Sequence, residues 1–141
     1  MTDGEDLPQP ERPQLFVCVS CRCRGSEKPA EGVTTDGRKL YEQLRLSIEA
    51  MGADAPVQLV PTLCFANCER GCSAGIAAPG KWSYVMGELT PDQAEDLLTY
   101  CRAYASAKTG VVLPSGRPVS LAKSVIARFP AHLTDFKEAA E

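Results

Sequence analysis

Seven cysteines occur in the 141-residue chain, and six of them fall into two short clusters. The first cluster is Cys18-Val-Ser-Cys21-Arg-Cys23, and the second is Cys64-x3-Cys68-x3-Cys72. Thiolates at such spacings are soft ligands that suit zinc, copper(I) or iron–sulfur clusters. Two clusters some forty residues apart can converge on one centre if the chain folds back on itself. The cysteine pattern therefore predicts a metal-binding protein.

Spacing does not determine all the ligands equally well. Cys18 and Cys21 form a Cys-x2-Cys pair, the commonest spacing for two thiolates on one metal. Cys23 follows so closely that its side chain is expected to point away from a centre that the pair shares. The second cluster offers three thiols for the two positions that a four-thiolate site leaves open: Cys64, Cys68 and Cys72.

The seventh cysteine and the single histidine are not expected to be metal ligands. Cys101 lies in the apolar stripe of a predicted helix, where a cysteine behaves as a small hydrophobic residue. His132 is the single histidine and lies in the tail of the chain. Ligation by thiolates alone is therefore expected, and Arg70 and Lys81 are the basic residues that we expect near such a centre.

The elements that position the first cluster form a strand–helix–strand pattern. The apolar run over residues 14–18 predicts a buried strand that ends in the first cluster. A helix is predicted over residues 37–51, with Asp36 as its cap and Gly52 as its stop. A second strand over residues 57–60 leads into the second cluster.

The segment after the second cluster predicts two more strands and a helix. Residues 73–78 and 81–86 read as strands joined by the turn-forming pair Pro79-Gly80. Thr90-Pro-Asp-Gln93 combines an N-cap threonine, a proline at the first helical position and a capping-box glutamine. The apolar positions that follow have helical spacing.

The order of these elements predicts an α/β fold of the thioredoxin-like type, with a four-stranded mixed sheet (β-α-β-β-β-α) and packed helices. A β-α-β unit requires parallel strands, whereas a short turn makes the next pair antiparallel. Loops that follow two parallel strands leave the sheet at the same end. The predicted topology therefore brings the two cysteine clusters together.

The chain length fits one domain, which we divide into three parts. Residues 1–13 form an acidic leader that is expected to be disordered. Residues 14–107 form the metal-binding domain, and residues 108–141 form a basic C-terminal extension.

Composition excludes several classes of function. The net charge of −3 does not indicate binding to nucleic acid. No apolar run is long enough to cross a membrane, and the acidic start lacks the order of a signal peptide. We therefore expect a cytoplasmic protein, in which cysteines stay reduced and a disulfide framework does not form.

Three motifs carry a resemblance to a known family. They are Phe16-Val-Cys18-Val-Ser-Cys21, the Cys64-x3-Cys68-x3-Cys72 loop, and Ala78-Pro-Gly-Lys-Trp-Ser-Tyr84 followed by Gly87-Glu-Leu. Together they resemble a family of predicted metal-binding proteins of unknown function that is often encoded beside cobalamin and cobalt-handling genes. That family is similar to the thioredoxin-like [2Fe-2S] ferredoxins.

The resemblance implies a [2Fe-2S] cluster bound by four cysteines. Cys18, Cys64 and Cys68 match ferredoxin ligands, and Cys21 or Cys23 must supply the fourth. Cys21 is the preferred choice. Cys72 occupies a place where the ferredoxins usually have another residue.

Three functions follow from these observations. The first is a [2Fe-2S] electron carrier or redox sensor, and the second is a four-cysteine protein that binds or delivers zinc or another metal ion. The third is a thiol–disulfide oxidoreductase that uses Cys18 and Cys21. It needs a lowered thiol pKa, commonly supplied by the start of a helix, whereas residues 24–37 form an intervening loop. We favour a binding protein over an enzyme, with a redox or metal-handling protein as partner; a homodimer is compatible with the sequence.

Overall fold

A computed structural model describes residues 12–22, 34–67 and 70–130 of the chain. Five of the sequence-based expectations lie outside the described residues. They concern most of the acidic leader, Cys23, most of the loop over residues 24–37, Cys68 and His132.

The described residues form one mixed sheet of five strands with two α-helices. The strands are β1 (Gln14–Cys18), β2 (Gln58–Thr62), β3 (Ala74–Ala77), β4 (Ser83–Met86) and β5 (Val125–Phe129), and the helices are α1 (Asp36–Met51) and α2 (Ala94–Ser106). The strand order across the sheet is β2-β1-β3-β4-β5. β1 and β2 are parallel, and the other neighbouring pairs are antiparallel. The predicted α/β class and its β-α-β-β-β-α order are confirmed.

The fifth strand is the difference from the predicted four-stranded sheet. β5 comes from the segment that the sequence assigns to the C-terminal extension, and it pairs with β4, with Ser83 opposite Phe129 and Val85 opposite Ala127. Its residues are half-buried or exposed, without the alternation of a strand that has one face in the core. An edge strand of this kind gives no periodic signal, so the sequence pattern did not reveal it.

Removing residues 123–141 is expected to destabilise the protein strongly. β5 supplies the backbone hydrogen-bond partners on one side of β4. A Cβ placed on Gly87 would contact the Ile126 side chain, so β5 also packs closely against the chain that follows β4. The melting temperature should fall by more than about 4 °C, which corresponds to a loss of about 1 kcal/mol in the free energy of unfolding for a domain of this size.

A chain that ends at Pro130 is the control for this deletion, because it keeps β5. Thermal unfolding followed by circular dichroism compares the two truncated proteins. Equal melting temperatures would show that β5 contributes nothing to the stability of the sheet.

The helix ends follow the sequence signals with one correction. Thr35, not Asp36, caps α1: its hydroxyl accepts a hydrogen bond from the N–H of Arg38 at 3.1 Å. Gly52 ends the helix as predicted, with φ of +61°. The predicted capping box before α2 is present, and the N–H of Thr90 donates to Oε1 of Gln93 at 2.8 Å.

The core lies between the sheet and the two helices. Leu40 and Leu44 of α1 pack with α2 against the sheet, together with buried side chains that include Leu15, Val17, Ile76, Tyr84, Met86, Leu97 and Leu98. Cys101 is fully buried among them, and burial raises the pKa of its thiol. Its predicted place in the core is confirmed. Neither α1 nor α2, nor any other helix among the described residues, has the length and apolar character of a transmembrane span.

Candidate metal centre

The sheet topology places the two cysteine loops at one edge. In the parallel pair of β1 and β2, Cys18 lies opposite Thr62, so the chain leaves both strands at the same end. The antiparallel strand β3 starts at that end too, and the N–H of Cys18 donates to the carbonyl of Ser73 at 3.1 Å. Cys18 therefore lies between the beginning and the end of the second cysteine loop.

Cys18 and Cys21 form a close, buried pair of thiols. Their sulfur atoms are 2.7 Å apart. Cys18 is fully buried, and Cys21 is 7% exposed. Two thiolates on one tetrahedral ion, at the usual metal–sulfur distance of about 2.3 Å, are about 3.8 Å apart. A small opening of the pair would therefore let both sulfurs bind one metal ion.

The carbonyl of Leu63 and the hydroxyl of Ser20 lie beside this pair. Sγ of Cys18 is 3.4 Å from the Leu63 carbonyl oxygen and 3.5 Å from Oγ of Ser20. The Ser20 hydroxyl also donates a hydrogen bond to the same carbonyl. The first cysteine loop is therefore tied to the residue that directly precedes Cys64.

The surroundings of Cys18 affect its acidity in two opposite ways. Burial raises the pKa of the thiol because it disfavours the charged thiolate. Hydrogen bonds from the Cys21 side chain, the Ser20 side chain and the backbone N–H groups of both residues lower it. The hydrogen bonds outweigh the burial, and the pKa of Cys18 lies below its ordinary value.

The start of α1 packs directly against the first cluster. The N–H of Gly37 donates to the carbonyl of Cys21 at 2.8 Å, and the Thr35 hydroxyl donates to the carbonyl of Val19 at 2.7 Å. A Cβ placed on Gly37 would collide with the carbonyl oxygen of Cys18. The positive end of the helix dipole therefore lies beside the thiols, where it stabilises negative charge.

This contact corrects one step of the sequence reasoning. The long intervening loop was expected to keep the start of the helix away from the cysteines. Instead, the chain returns to the first cluster at Thr35 and Gly37. Separation along the sequence gave no information about this distance, because the Thr35 hydroxyl and the Gly37 N–H bond to carbonyls of residues that are distant in the chain.

The end of the second cysteine loop lies against Cys21. A Cβ placed on Gly71 would be 3.3 Å from Sγ of Cys21 and 2.7 Å from the carbonyl oxygen of Arg22. Cys72, the next residue, is fully buried. Its backbone exchanges hydrogen bonds with Leu89, at 3.3 Å and 3.0 Å. Cys72 is thus held inside the protein beside the first cluster.

Cys64 differs from the other cysteines near the site because it is exposed. Its sulfur accepts a hydrogen bond from the N–H of Ala66 at 3.1 Å, in a turn where Ala66 has φ of +59°. A backbone donor therefore fixes the position of this sulfur.

Four predicted ligands lie at or next to the contact between the two cysteine loops. Two of them touch through their sulfur atoms, and the other two each follow a residue that contacts the first loop. Cys18 and Cys21 form the contact, Cys64 follows Leu63, and Cys72 follows Gly71. Within residues 12–22, 34–67 and 70–130, no three cysteine, histidine or acidic side chains are grouped as a metal site. The full set of Cys18, Cys21, Cys64 and Cys68, with Cys72 as a further candidate, therefore stays a prediction.

The donor set fits a metal or cluster that prefers soft ligands. The two buried sulfurs are thiols, and the neighbouring donors stabilise the thiolate form of Cys18. A buried pair of thiolates needs compensating charge, which a bound metal would supply.

The two basic residues that were expected near the centre lie in different places. Arg70 directly precedes Gly71, and its Nε is 3.0 Å from Oε2 of Glu88. Lys81 precedes β4 at the end of the sheet opposite the two cysteine clusters, and its Nζ donates to the carbonyls of Tyr104 and Ala105 at the end of α2, at 3.3 Å and 2.8 Å. The expectation for Lys81 is therefore wrong.

Sequence reasoning missed the small residues that shape the site. Gly37 and Gly71 allow the start of α1 and the second loop to approach the first cluster. Ser20 joins the two cysteine loops through Leu63. A glycine in the first turn of a predicted helix is a usable signal of close approach. The serine between Cys18 and Cys21 is another, since its hydroxyl can reach nearby acceptors.

Solved structures of a thioredoxin-like [2Fe-2S] ferredoxin from Aquifex aeolicus are similar to this chain. One structure has a TM-score of 0.52 at 18% identity, over 86% of this chain and 97% of that chain. The wild-type structure at 1.5 Å has a TM-score of 0.52 at 17% identity, over 82% and 97% of the two chains. A cysteine-to-serine variant has a TM-score of 0.51 at 18% identity, over 82% and 98%. This likeness shows the fold, and it confirms the predicted thioredoxin-like arrangement.

No curated protein matches this chain. The model of one protein family, described as a protein of unknown function (DUF1636), matches residues 15–131 and so includes both cysteine clusters. The chain belongs to this DUF1636 family.

Proposed function

We propose that this protein binds a metal centre through cysteine thiolates, and that the centre is a [2Fe-2S] cluster used for electron transfer or redox sensing. One observation carries the proposal. The buried sulfurs of Cys18 and Cys21 lie 2.7 Å apart at the sheet edge where both cysteine loops emerge. Two adjacent soft ligands at that position are the start of a metal site.

The proposed ligands are Cys18 and Cys21 from the first loop and Cys64 and Cys68 from the second, with Cys72 as the alternative from the second loop. A bound [2Fe-2S] cluster supplies a one-electron redox couple. The chain shields the Cys18–Cys21 side of the site from water, whereas Cys64 is exposed and Leu63 is 77% exposed. A redox or metal-handling partner would approach from the exposed side.

Two features support the choice of a cluster. Two solved structures that are similar in fold are named as a thioredoxin-like [2Fe-2S] ferredoxin. An oxidised cluster with four thiolates has a net charge of about −2, and the positive end of α1 lies beside the first loop. The helix would offset part of that charge.

Zinc is the second candidate, and the tight Cys18–Cys21 contact favours it. A Cys-x2-Cys pair that places both sulfurs on one ion is common in four-thiolate zinc sites. Zinc binding would make the protein a structural or metal-delivery protein without a redox couple.

Reconstitution with iron and sulfide under anaerobic conditions distinguishes the two candidates. A two-iron cluster should give a red-brown protein whose visible charge-transfer bands bleach on reduction with dithionite. A colourless protein that holds one zinc after the same treatment would contradict the cluster and leave the thiolate metal site in place.

The structure gives less support to thiol–disulfide exchange with other proteins. The attacking thiol must reach a disulfide of the substrate, but Cys18 is fully buried and Cys21 is 7% exposed. The lowered pKa of Cys18 and the short sulfur–sulfur distance instead favour a disulfide within the pair.

In the metal-free protein, one equivalent of diamide is expected to oxidise Cys18 and Cys21 to a disulfide before any other pair. Diamide takes up the two hydrogens and becomes a hydrazine, and the two sulfurs need only approach from 2.7 Å to about 2.05 Å. Mass spectrometry of the peptide that contains both cysteines should show the loss of two hydrogens. Oxidation of Cys64 while Cys18 and Cys21 remain reduced would contradict this expectation.

A further inference from the structure

Ser20 lies at the contact between the two cysteine loops. Its Oγ is 3.5 Å from Sγ of Cys18, and its hydroxyl donates to the carbonyl of Leu63. Sγ of Cys18 is also 3.4 Å from that carbonyl. Three polar groups thus contact one another: the Ser20 hydroxyl, the Cys18 sulfur and the Leu63 carbonyl.

The number of protons in this cluster changes when Cys18 binds a metal. A thiol can donate to the Leu63 carbonyl, but a metal-bound sulfur has no proton and can only accept. The carbonyl is an acceptor in both states. The Ser20 hydroxyl then supplies the proton that the sulfur and the carbonyl can share.

These contacts hold the Leu63 carbonyl one residue beyond the last backbone hydrogen bond of β2, which the N–H of Val19 donates to the carbonyl of Thr62 at 2.9 Å. The Leu63 side chain is 77% exposed, so packing in the core does not hold it. The next residue is Cys64, whose placement follows from that of Leu63. A hydrogen bond from Ser20 therefore restrains the first proposed ligand of the second loop.

We infer that Ser20 is a positioning residue of the metal centre. Its single hydroxyl proton is shared in a three-centre hydrogen bond between the Leu63 carbonyl, which it holds against the first cysteine loop, and the sulfur of Cys18 once that sulfur binds the metal. With a cluster bound, this hydrogen bond would raise the reduction potential. The inference rests on the proposed function, because it assigns Cys18 as a ligand.

The direction of the effect follows from charge. Reduction adds an electron, and the sulfur ligands carry part of the added negative charge. A hydrogen bond to a ligand sulfur stabilises the reduced form more than the oxidised form, and hydrogen bonds to sulfur are among the factors that set cluster potentials. Loss of the Ser20 hydroxyl should therefore make the potential more negative.

Three variants of the full chain test the inference. Ser20→Ala removes the hydroxyl, and Ser20→Thr keeps it. Ser47→Ala is the matched control, because its hydroxyl donates to Glu95 at 3.0 Å in the third turn of α1, away from the cysteines. Each protein is reconstituted with iron and sulfide, and its cluster content and midpoint potential are measured. Hydrogen–deuterium exchange of residues 62–66 is followed in the metal-free proteins.

The expected pattern separates Ser20→Ala from the other two variants. Its potential should be more negative than that of the wild type, and amide exchange at residues 62–66 should be faster. Ser20→Thr and Ser47→Ala should match the wild type in both measurements. A wild-type potential in Ser20→Ala, with clusters assembled in all proteins, would overturn the inference and leave the proposed function intact.

Failure of the proposed function gives a different result. If the wild type takes up zinc and no cluster, the rate of zinc transfer to a chelator replaces the potential. Loss of a partner that orients a ligand typically costs about 10–100-fold in metal affinity, so Ser20→Ala should release zinc about 10-fold faster. Equal release rates in Ser20→Ala and the wild type would overturn the role of Ser20 in that case too.

Discussion

Cys21→Ser is expected to lose nearly all bound metal. The sulfur of Cys21 lies 2.7 Å from that of Cys18, and both are shielded from water, so the two thiols act as a unit. A serine hydroxyl is a hard, neutral donor that replaces a soft thiolate poorly. The metal affinity should fall by more than about 10–100-fold, which is the usual loss when a residue that only orients a ligand is removed. Metal content per chain, measured by elemental analysis, checks the result.

Cys101→Ala is the matched control for this prediction. Cys101 is also fully buried, but it lies in α2 within the hydrophobic core. Its replacement should leave the metal content unchanged and lower the free energy of unfolding by about 1–3 kcal/mol, because it opens a small cavity. If Cys101→Ala empties the site and Cys21→Ser retains the metal, the assignment of the centre is wrong.

The same measurement on three serine variants identifies the ligands of the second loop. The variants are Cys64→Ser, Cys68→Ser and Cys72→Ser. The proposed set predicts that Cys64→Ser and Cys68→Ser lose the metal. Loss in Cys72→Ser with retention in Cys64→Ser would instead make the buried cysteine the ligand.

Gly37→Ala is expected to destabilise both the fold and the metal site. In an exposed helix, alanine is more stable than glycine by about 1 kcal/mol, so helix propensity alone predicts stabilisation. At Gly37, however, a Cβ would collide with the carbonyl oxygen of Cys18 and lie 3.2 Å from the backbone nitrogen of Cys21. Backbone atoms cannot move aside as a flexible side chain can. We expect a loss of about 3 kcal/mol, at the upper end of the range for overpacked sites.

Gly116→Ala is the control, because it makes the same chemical change where space is available. A Cβ at Gly116 would be 3.8 Å from the Val112 side chain, which is an ordinary contact. Denaturant unfolding should show a large loss for Gly37→Ala and a change within about 0.5 kcal/mol for Gly116→Ala. Metal content should fall only in Gly37→Ala. A stabilised Gly37→Ala protein with full metal content would contradict the close packing of α1 against the cysteine loop.

The sequence predicted the parts of the fold that have local signals. The strand over residues 14–18 is found at the predicted residues, since a buried strand is a continuous apolar run. The capping box at Thr90 and Gln93 marks the start of the second helical segment because its hydrogen bonds are local. The meeting of the cysteine loops followed from the parallel pairing of β1 and β2, which a β-α-β unit requires.

The features that the sequence did not predict depend on contacts between distant residues. β5 is an edge strand with little burial, so it lacks a periodic pattern. Thr35 and Gly37 reach the first cluster, and Ser20 reaches Leu63, through hydrogen bonds whose acceptors are backbone carbonyls, which every residue has. Residue types alone cannot indicate which of those groups meet.

The most direct test of the central claim is the iron, acid-labile sulfide and zinc content of the full chain purified without oxygen. A [2Fe-2S] cluster predicts about two iron and about two sulfide ions per chain, with little zinc. The same analysis of Cys21→Ser should find neither iron nor sulfide. One zinc per chain without sulfide would contradict the cluster, and a wild-type protein without any metal would contradict the thiolate metal centre itself.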